Sequence, residues 1–475
     1  MNITLTVQDF AALSPFLVIL LFALLLLGIE SWSEKAASKC GLFLTSLGLL
    51  AALAAVYYAP ASRSPLLTPW LIFDDISKFF AALFLLTGLA SALLASSFFK
   101  KFSATQGEFY FLLLSAVFGL LLVGYSADFL TLFLGIETLS IALYILCGYI
   151  KRWGFAQESA IKYFLTGAIS AAILLYGIAL LYGAVGSTRF SDLLPAYQQL
   201  AGGQKVLFLA GIAFITAGLA FKAALVPFHA WAPDVYDGSP TPVTAFMAVG
   251  TKAGAFAAFV RVFMNFMPNF EPSWSYTIAG ISIATLLVAN IVGLRQAYLR
   301  RFFAYSGISH AGFLLMPLVA GNQEALQALN YYLVVYSLAT IGAFAVLTRV
   351  DHNSDGPLFT DLRGLFKKSP LLAGLMAVCL LTLAGIPPTA GFFAKLYVFK
   401  VAYQAGFLPL VIVGLFTTVL AAYYYLQIAA AMFTDAAEEH PLPSSRAASL
   451  VGLAVFIGIL YLSIYPGPFL SQIGF

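Results

Sequence analysis

Long apolar runs alternate with short polar connections along almost the whole chain. A helix that crosses a bilayer needs roughly 20 mostly apolar residues. Fourteen runs of this kind lie near 12–30, 40–59, 78–99, 109–126, 128–149, 156–184, 205–237, 242–265, 274–293, 301–319, 325–349, 370–404, 409–433 and 446–470. The pattern predicts an all-α polytopic membrane protein with about fourteen transmembrane helices. No connection is long enough to fold as a domain of its own.

Two runs are too long for a simple span. Residues 205–237 contain Pro227 in LVPFHAW, and residues 370–404 contain Pro387 and Pro388 in LAGIPPTAGFFAK. Proline removes a backbone donor and clashes with the preceding turn, so helices 7 and 12 are expected to be discontinuous. The breaks fall five helices apart. That spacing predicts a five-helix unit used twice, and an odd unit makes the second copy inverted in the membrane. The expected organisation is an N-terminal three-helix segment (1–108), a first five-helix repeat (109–265), an inverted second repeat (274–433) and a C-terminal helix (434–475).

Composition supports a membrane class. The chain has 475 residues, of which 61% are hydrophobic and only 9% charged; its mean hydropathy is +0.94. Ordinary globular chains carry about 25% charged residues. The net charge of +4 comes with no basic run interleaved with aromatics, which argues against nucleic-acid binding. Cys40, Cys147 and Cys379 stand alone in apolar stretches and read as small buried hydrophobes. The opening MNITLTVQDFAALSP has no basic n-region, so the first apolar run is expected to be a retained helix.

Loop lysines and arginines set the orientation. Fourteen of them, among them Lys100, Lys101, Lys151, Arg295, Arg301 and Lys368, fall on one side. Four fall on the other: Arg63, Lys78, Arg189 and Lys205. The basic side is expected to face the cytoplasm, with both termini outward.

Inside this apolar frame the ionisable residues stand out. Glu137 lies nine residues into its helix if Asp128 starts it, about 13 Å deep. A lone carboxylate there must be protonated or paired, and Lys222 is the natural partner. Burial favours a neutral amine and a nearby carboxylate favours the ammonium, so moving Glu137 could make Lys222 release its proton. A static pair that fixes helix packing is the plainer alternative. Lys252 lies ten residues beyond Pro242, about 15 Å along its helix, too deep to snorkel. Lys395 follows the second break by seven residues and could end a polar chain in the second half. Lys162 lies near the cytoplasmic end of helix 6, where snorkelling competes with a role in the polar chain. Arg261 and Lys400, near outward helix ends, read as snorkelling. His229 and His310 could relay protons, or be merely hydrogen-bonded. Haem ligation is disfavoured, because further ligands at regular spacing are missing. Asp234 and Asp237 read as capping the turn after the first break, and Asp75 as serving a helix N-terminus. No phosphate loop or metal cluster appears, so no cofactor or metal is expected on this chain.

Several stretches resemble a known family: FLGIETLSIALYIL, SAIKYFLTGAISAAILLYGIALLYG, FKAALVPFHAWAPDVYDGSPTPVTAF, RRFFAYSGISHAGF and LAGIPPTAGFFAKLYVF. They are similar to the antiporter-like subunits of respiratory complex I, NADH:quinone oxidoreductase. The likeness is greatest to the subunit N branch, called subunit 2 in mitochondria. VPFHAW and AGIPP are shared with subunits L and M and with multi-subunit cation/proton antiporters. The resemblance implies fourteen helices with two inverted five-helix repeats, discontinuous helices 7 and 12, and a place in the membrane arm of a proton-pumping complex. It implies roles in a proton path for Glu137, Lys222, Lys252 and Lys395, with Lys162 also matching a family lysine. NADH, FMN, iron–sulfur clusters and quinone are then expected on other subunits. The neighbours expected are an M-like antiporter subunit on one side and a K-like small subunit on the other, in a bacterial plasma (inner) membrane. The alternatives are a subunit of a multi-subunit sodium/proton antiporter, of a membrane-bound hydrogenase or ferredoxin-driven complex, or a passive scaffold.

Overall fold

A computed structural model describes residues 6–62, 64–102, 106–264, 272–352, 356–435, 442 and 444–473. Arg63 and the expected helix end at residue 265 lie outside them. We number the spanning helices α1 (Ser14–Trp32), α2 (Glu34–Tyr58), α3 (Asp75–Lys101), α4 (Gly107–Tyr125), α5 (Phe129–Cys147), α6 (Gly154–Val185) and α7a (Gly202–Ala223) with α7b (Trp231–Gly238). There follow α8 (Thr241–Met264), α9 (Pro272–Gly293), α10 (Leu299–Val319), α11 (Gln323–Val350), α12a (Pro370–Ala384) with α12b (Ala390–Gln404), α13 (Leu408–Ala431) and α14 (Arg446–Ile464). Among the described residues thirteen helices are long and apolar enough to cross a membrane. The halves of helix 12, 15 residues each, are too short to cross alone and do so only together.

The two breaks share one local geometry. At the first, Ala224 takes the left-handed conformation at φ 58°, and Leu225 N–H returns to the Ala220 carbonyl. At the second, Gly385 takes it at φ 78°, and Ile386 N–H returns to the Leu381 carbonyl. Each is a Schellman-type end that satisfies carbonyls orphaned by the break. Other elements take up what remains. Trp231 Nε1 donates to the Phe221 carbonyl at 2.9 Å, its ring stacked between Phe221 and Tyr163. Thr285 Oγ1 accepts Val226 N–H, and Ser463 Oγ accepts Ala390 N–H. These partners meet the rule that backbone freed within a membrane must be paired inside the protein.

Helices α8, α10 and α11 form the centre, buried along nearly their whole length. α6 packs on both α7a and α7b, α9 on α10 and α13, and α11 on both halves of helix 12 and on α14. α1, α2, α6, α13 and α14 each keep an apolar face exposed, as helices facing lipid or a partner do. α8 is not uniform: Met247–Thr251 and Val260–Met264 are π-helical turns on either side of Lys252–Phe259.

Some local expectations need correction. α2 starts at Glu34, straight after Ser33 and ahead of the expected residue 40, so Lys35 and Lys39, two of the fourteen basic residues assigned to loops on the cytoplasmic side, sit in a helix. Asp75 does serve a helix N-terminus, as the acidic first residue of α3, and the cap beside it is Asp74, which accepts Ser77 N–H at 2.8 Å. Asp234 and Asp237 lie within α7b and cap nothing, because the helix runs on to Gly238. Arg261 does not snorkel outward. It is 4% exposed and turns inward, where Asp74 holds it with two bonds of 2.7 Å and the Gly124 carbonyl accepts from it. A bidentate carboxylate at a helix start offsets the cost of burying a guanidinium.

Candidate functional site

The discontinuities place amines where carbonyls and hydroxyls are free. Lys222 occupies the last turn of α7a, where a cation also complements the helix dipole. Its Nζ donates to Ser140 Oγ at 2.8 Å. Glu137 lies one turn before Ser140 on α5, and its Oε1 is 4.0 Å from Lys222 Nζ. That oxygen is buried without a hydrogen-bond partner among the described residues. The Glu137–Lys222 pair therefore exists, but as a loose one with the amine given to Ser140.

Lys252 lies where the first π turn of α8 ends, 1% exposed. Its Nζ is 3.2 Å from Tyr236 Oη on α7b. Gly307 on α10 leaves it room, since a Cβ there would stand 2.9 Å from Nζ. Tyr336 on α11 donates to the Ala248 carbonyl in that same π turn, and its ring lies 4.9 Å from the His310 ring. His310 Nδ1 meets Tyr332 Oη at 2.8 Å and Nε2 meets Tyr425 Oη at 3.3 Å. A small cavity of about 10 Å³ joins His310, Tyr332 and Tyr336 to Lys395. Lys395 on α12b reaches back across the break and donates to the Ala384 carbonyl at 2.9 Å, over the Phe313 ring. Among the described residues neither Lys252 nor Lys395 has an ion-pair partner.

Lys252, His310 and Lys395 are thus brought together at the centre through Tyr236, Tyr336 and Tyr332, while Lys222 pairs with the partly exposed Glu137 at the end of α7a. Lys162 and His229 are in neither group. Lys162 pairs with Glu158 at 2.7 Å and Asp234 at 2.8 Å beside a polar hollow of about 260 Å³, which Asp237 and Arg301 also line. His229 lies in the link between α7a and α7b, its Nδ1 without a partner among the described residues. Sequence reasoning missed Ser140, Tyr236, Tyr336 and Tyr332. Ser140 was findable, three residues after Glu137 on the same helix face. The tyrosines carried no signal, because buried aromatics abound in this chain.

Among the described residues no group of three His, Cys, Asp or Glu side chains could hold a metal ion. The fold and its interior define a polytopic membrane protein with buried titratable side chains on its central helices and beside its two helix breaks. Residues 126–421 match the family model described as the NADH:quinone oxidoreductase/Mrp antiporter transmembrane family. A relative from Protochlamydia amoebophila, named NADH-quinone oxidoreductase subunit N, is 57% identical over 473 residues, 99% of this chain and 98% of that one. A chain of respiratory complex I from Thermus thermophilus superposes with a TM-score of 0.84 at 35% identity, covering 97% of this chain and 99% of that one. A chain of an archaeal membrane-bound sulfane sulfur reductase superposes at 0.86 with 25% identity, covering 98% and 96%. The chain belongs to the NADH:quinone oxidoreductase/Mrp antiporter family.

Proposed function

We propose that this chain is a proton-translocating membrane-arm subunit of an NADH:quinone oxidoreductase, driven by quinone reduction elsewhere in the complex. The buried titratable groups Lys252, His310 and Lys395, with the Glu137–Lys222 pair beside the first break, carry the reading. A passive scaffold has no use for such groups, since a lysine at mid-membrane costs at least about 2.5 kcal/mol. The chain supplies proton-holding groups only; NADH, FMN, iron–sulfur clusters and quinone belong to other subunits.

Helices 4–8 and 9–13 form two inverted repeats, a reading supported by matching Schellman ends at the two breaks. Protons enter from the cytoplasm through the first repeat, at the hollow where Lys162 meets Asp234. They load Lys222 or Lys252. Tyr236 supports the second step, because α7b carries Asp234 toward the hollow and Tyr236 toward Lys252. Protons then pass His310 to Lys395 and leave outward as the Glu137–Lys222 distance changes. Glu137 borders the exposed stripe of Leu134, Ile141 and Ile145. A carboxylate there calls for a protein neighbour and not lipid, which supports a K-like small subunit on this face and an M-like subunit on the opposite one. The location is a bacterial inner membrane with both termini outward.

The test is a gentle extraction of the tagged chain, run on a native gel and stained for NADH oxidation. The reading expects activity to migrate with the chain in a very large assembly. A band with small hydrophobic partners alone, together with sodium-dependent proton flux in vesicles, would replace it with an antiporter.

A further inference from the structure

A deep recess opens on the outer surface between α3, α11 and α14, with a volume of about 740 Å³. Its α3 wall runs from Phe79 through Leu86 to Leu93, which share one stripe of the helix because they stand seven residues apart. That wall is about 21 Å long at 1.5 Å per residue. α11 contributes Leu338 and Ile341, and α14 Leu450 and Val451. Leu86 is 50% exposed and Leu450 62%, so the groove is open sideways. Its hydroxyls are taken within their own helices: Thr87 donates to the Leu83 carbonyl and Ser337 to the Leu333 carbonyl. The lining therefore suits hydrocarbon.

The two ends of the groove differ in charge. At one end Lys78, next to Phe79, has Asp75 at 3.9 Å. At the other, Lys100 continues the α3 stripe seven residues beyond Leu93, and Arg446 stands one turn before Leu450 on α14. Both are exposed, and neither has an ion-pair partner among the described residues. Lys101 is already engaged, turning inward to the Asp351 carbonyl. Packing puts Lys100 and Arg446 at one height. A Cβ on Gly342 would stand 2.7 Å from Val455 Cγ1, so α11 and α14 are level there. Nine residues further along α11 is Asp351, which Lys101 reaches, and nine residues back along α14 is Arg446. The two cations thus flank the mouth of the groove on the side with the excess of basic residues.

We propose that this groove binds an anionic phospholipid of the leaflet on the basic side, with an acyl chain along α3 and the phosphate between Lys100 and Arg446. The section of the groove decides against a partner's helix. Spread over its length, the volume gives a mean section of about 35 Å², room for a hydrocarbon chain or two, whereas a helix with its side chains is a cylinder about 10–12 Å across. The charge at the mouth decides for an anionic headgroup, because two cations that no carboxylate engages among the described residues hold a phosphate through charge-assisted bonds. The depth agrees, since Lys100 lies about 10 Å past Leu93, where the hydrocarbon ends and headgroups begin. The bound lipid ties α3 and α14 to α11, whose opposite face carries Tyr332 and Tyr336. The site stands whether or not the chain translocates protons.

The test uses the intact complex, delipidated in detergent and given phosphatidylglycerol or phosphatidylcholine with a photoreactive diazirine on one acyl chain. Labelled peptides are located by mass spectrometry. Phosphatidylglycerol should label the α3 and α11 walls at least about threefold more than phosphatidylcholine does. Lys100→Gln together with Arg446→Gln should bring it down to the phosphatidylcholine level. Lys35→Gln together with Arg295→Gln removes the same charge from other helices on that side and should leave the labelling unchanged. Ala90→Trp, which fills the groove, should abolish labelling by both lipids. Equal labelling by the two lipids, or labelling that ignores the Lys100 and Arg446 variant, overturns the site and leaves ordinary annular lipid. A groove that stays unlabelled until neighbouring subunits are stripped away overturns it too, a partner subunit then being what covers it. Should Ala90→Trp not assemble, the charge variants decide alone.

Discussion

At the scale of single residues, two kinds of buried charge have different work. Lys222, Lys252 and Lys395 meet hydroxyls, a carbonyl and one distant carboxylate, so none is locked. Arg261 is locked by Asp74, Ser77 and the Gly124 carbonyl. Lys222→Met should therefore cut NADH-driven pumping at least about tenfold while the complex still assembles. Arg261→Met should instead reduce assembly, costing about 1–3 kcal/mol, because Ser77 and the Gly124 carbonyl lose their buried partner while Asp74, 37% exposed, turns to water. Burial pulls the Asp74 carboxyl up, but Arg261 and the Ser77 bonds outweigh it and hold it below the ordinary carboxylate value. A group lowered on folding stabilises above its unfolded value, and that contribution is lost as pH falls through the folded one. Thermal melts of the complex should show a stability loss on acidification below about pH 4 that is smaller in Asp74→Asn. The lysines and Glu137 were legible in the sequence, because charge inside an apolar run is conspicuous. The Arg261–Asp74 pair was not: its members stand 187 residues apart, and each alone looks like an ordinary helix-end charge.

At the scale of elements, both broken helices were legible, since proline forbids a continuous helix wherever it falls inside one. The π turns of α8 were not, because no residue type announces them, yet they set where Lys252 points. The two left-handed ends make opposite predictions. Gly385→Ala adds a left-handed penalty of about 1–2 kcal/mol and a Cβ. That Cβ would stand 2.8 Å from Lys395 Cδ, so pumping should fall along with stability. Ala224→Gly relieves the same penalty and should change stability by less than about 1 kcal/mol, with pumping kept. Melting curves and proteoliposome pumping on both variants check the pair. If Gly385→Ala is silent, the ordering of Lys395 by the break is wrong.

At the scale of the whole molecule, the helix count and the apolar outer faces followed from hydropathy, because the bilayer fixes the length of what crosses it. The route from Lys252 to Lys395 did not, since it depends on which helices pack at the centre. α8, α10 and α11 do so, and they carry Lys252, His310, Tyr332 and Tyr336 between the two breaks. Single cysteines at Lys151 and at Lys205, probed with an impermeant thiol reagent in right-side-out vesicles, should react only at 205. Reaction at 151 instead would invert the orientation.

The central claim is that the buried lysines move protons for the complex. The most direct measurement is the ratio of protons pumped to electrons transferred by reconstituted complex carrying Lys222→Met together with Lys252→Met. Electron transfer from NADH to a hydrophilic acceptor should stay normal while pumping drops at least about tenfold or quinone reduction slows with it. A double variant that assembles and keeps both the normal ratio and the normal rate would contradict the account.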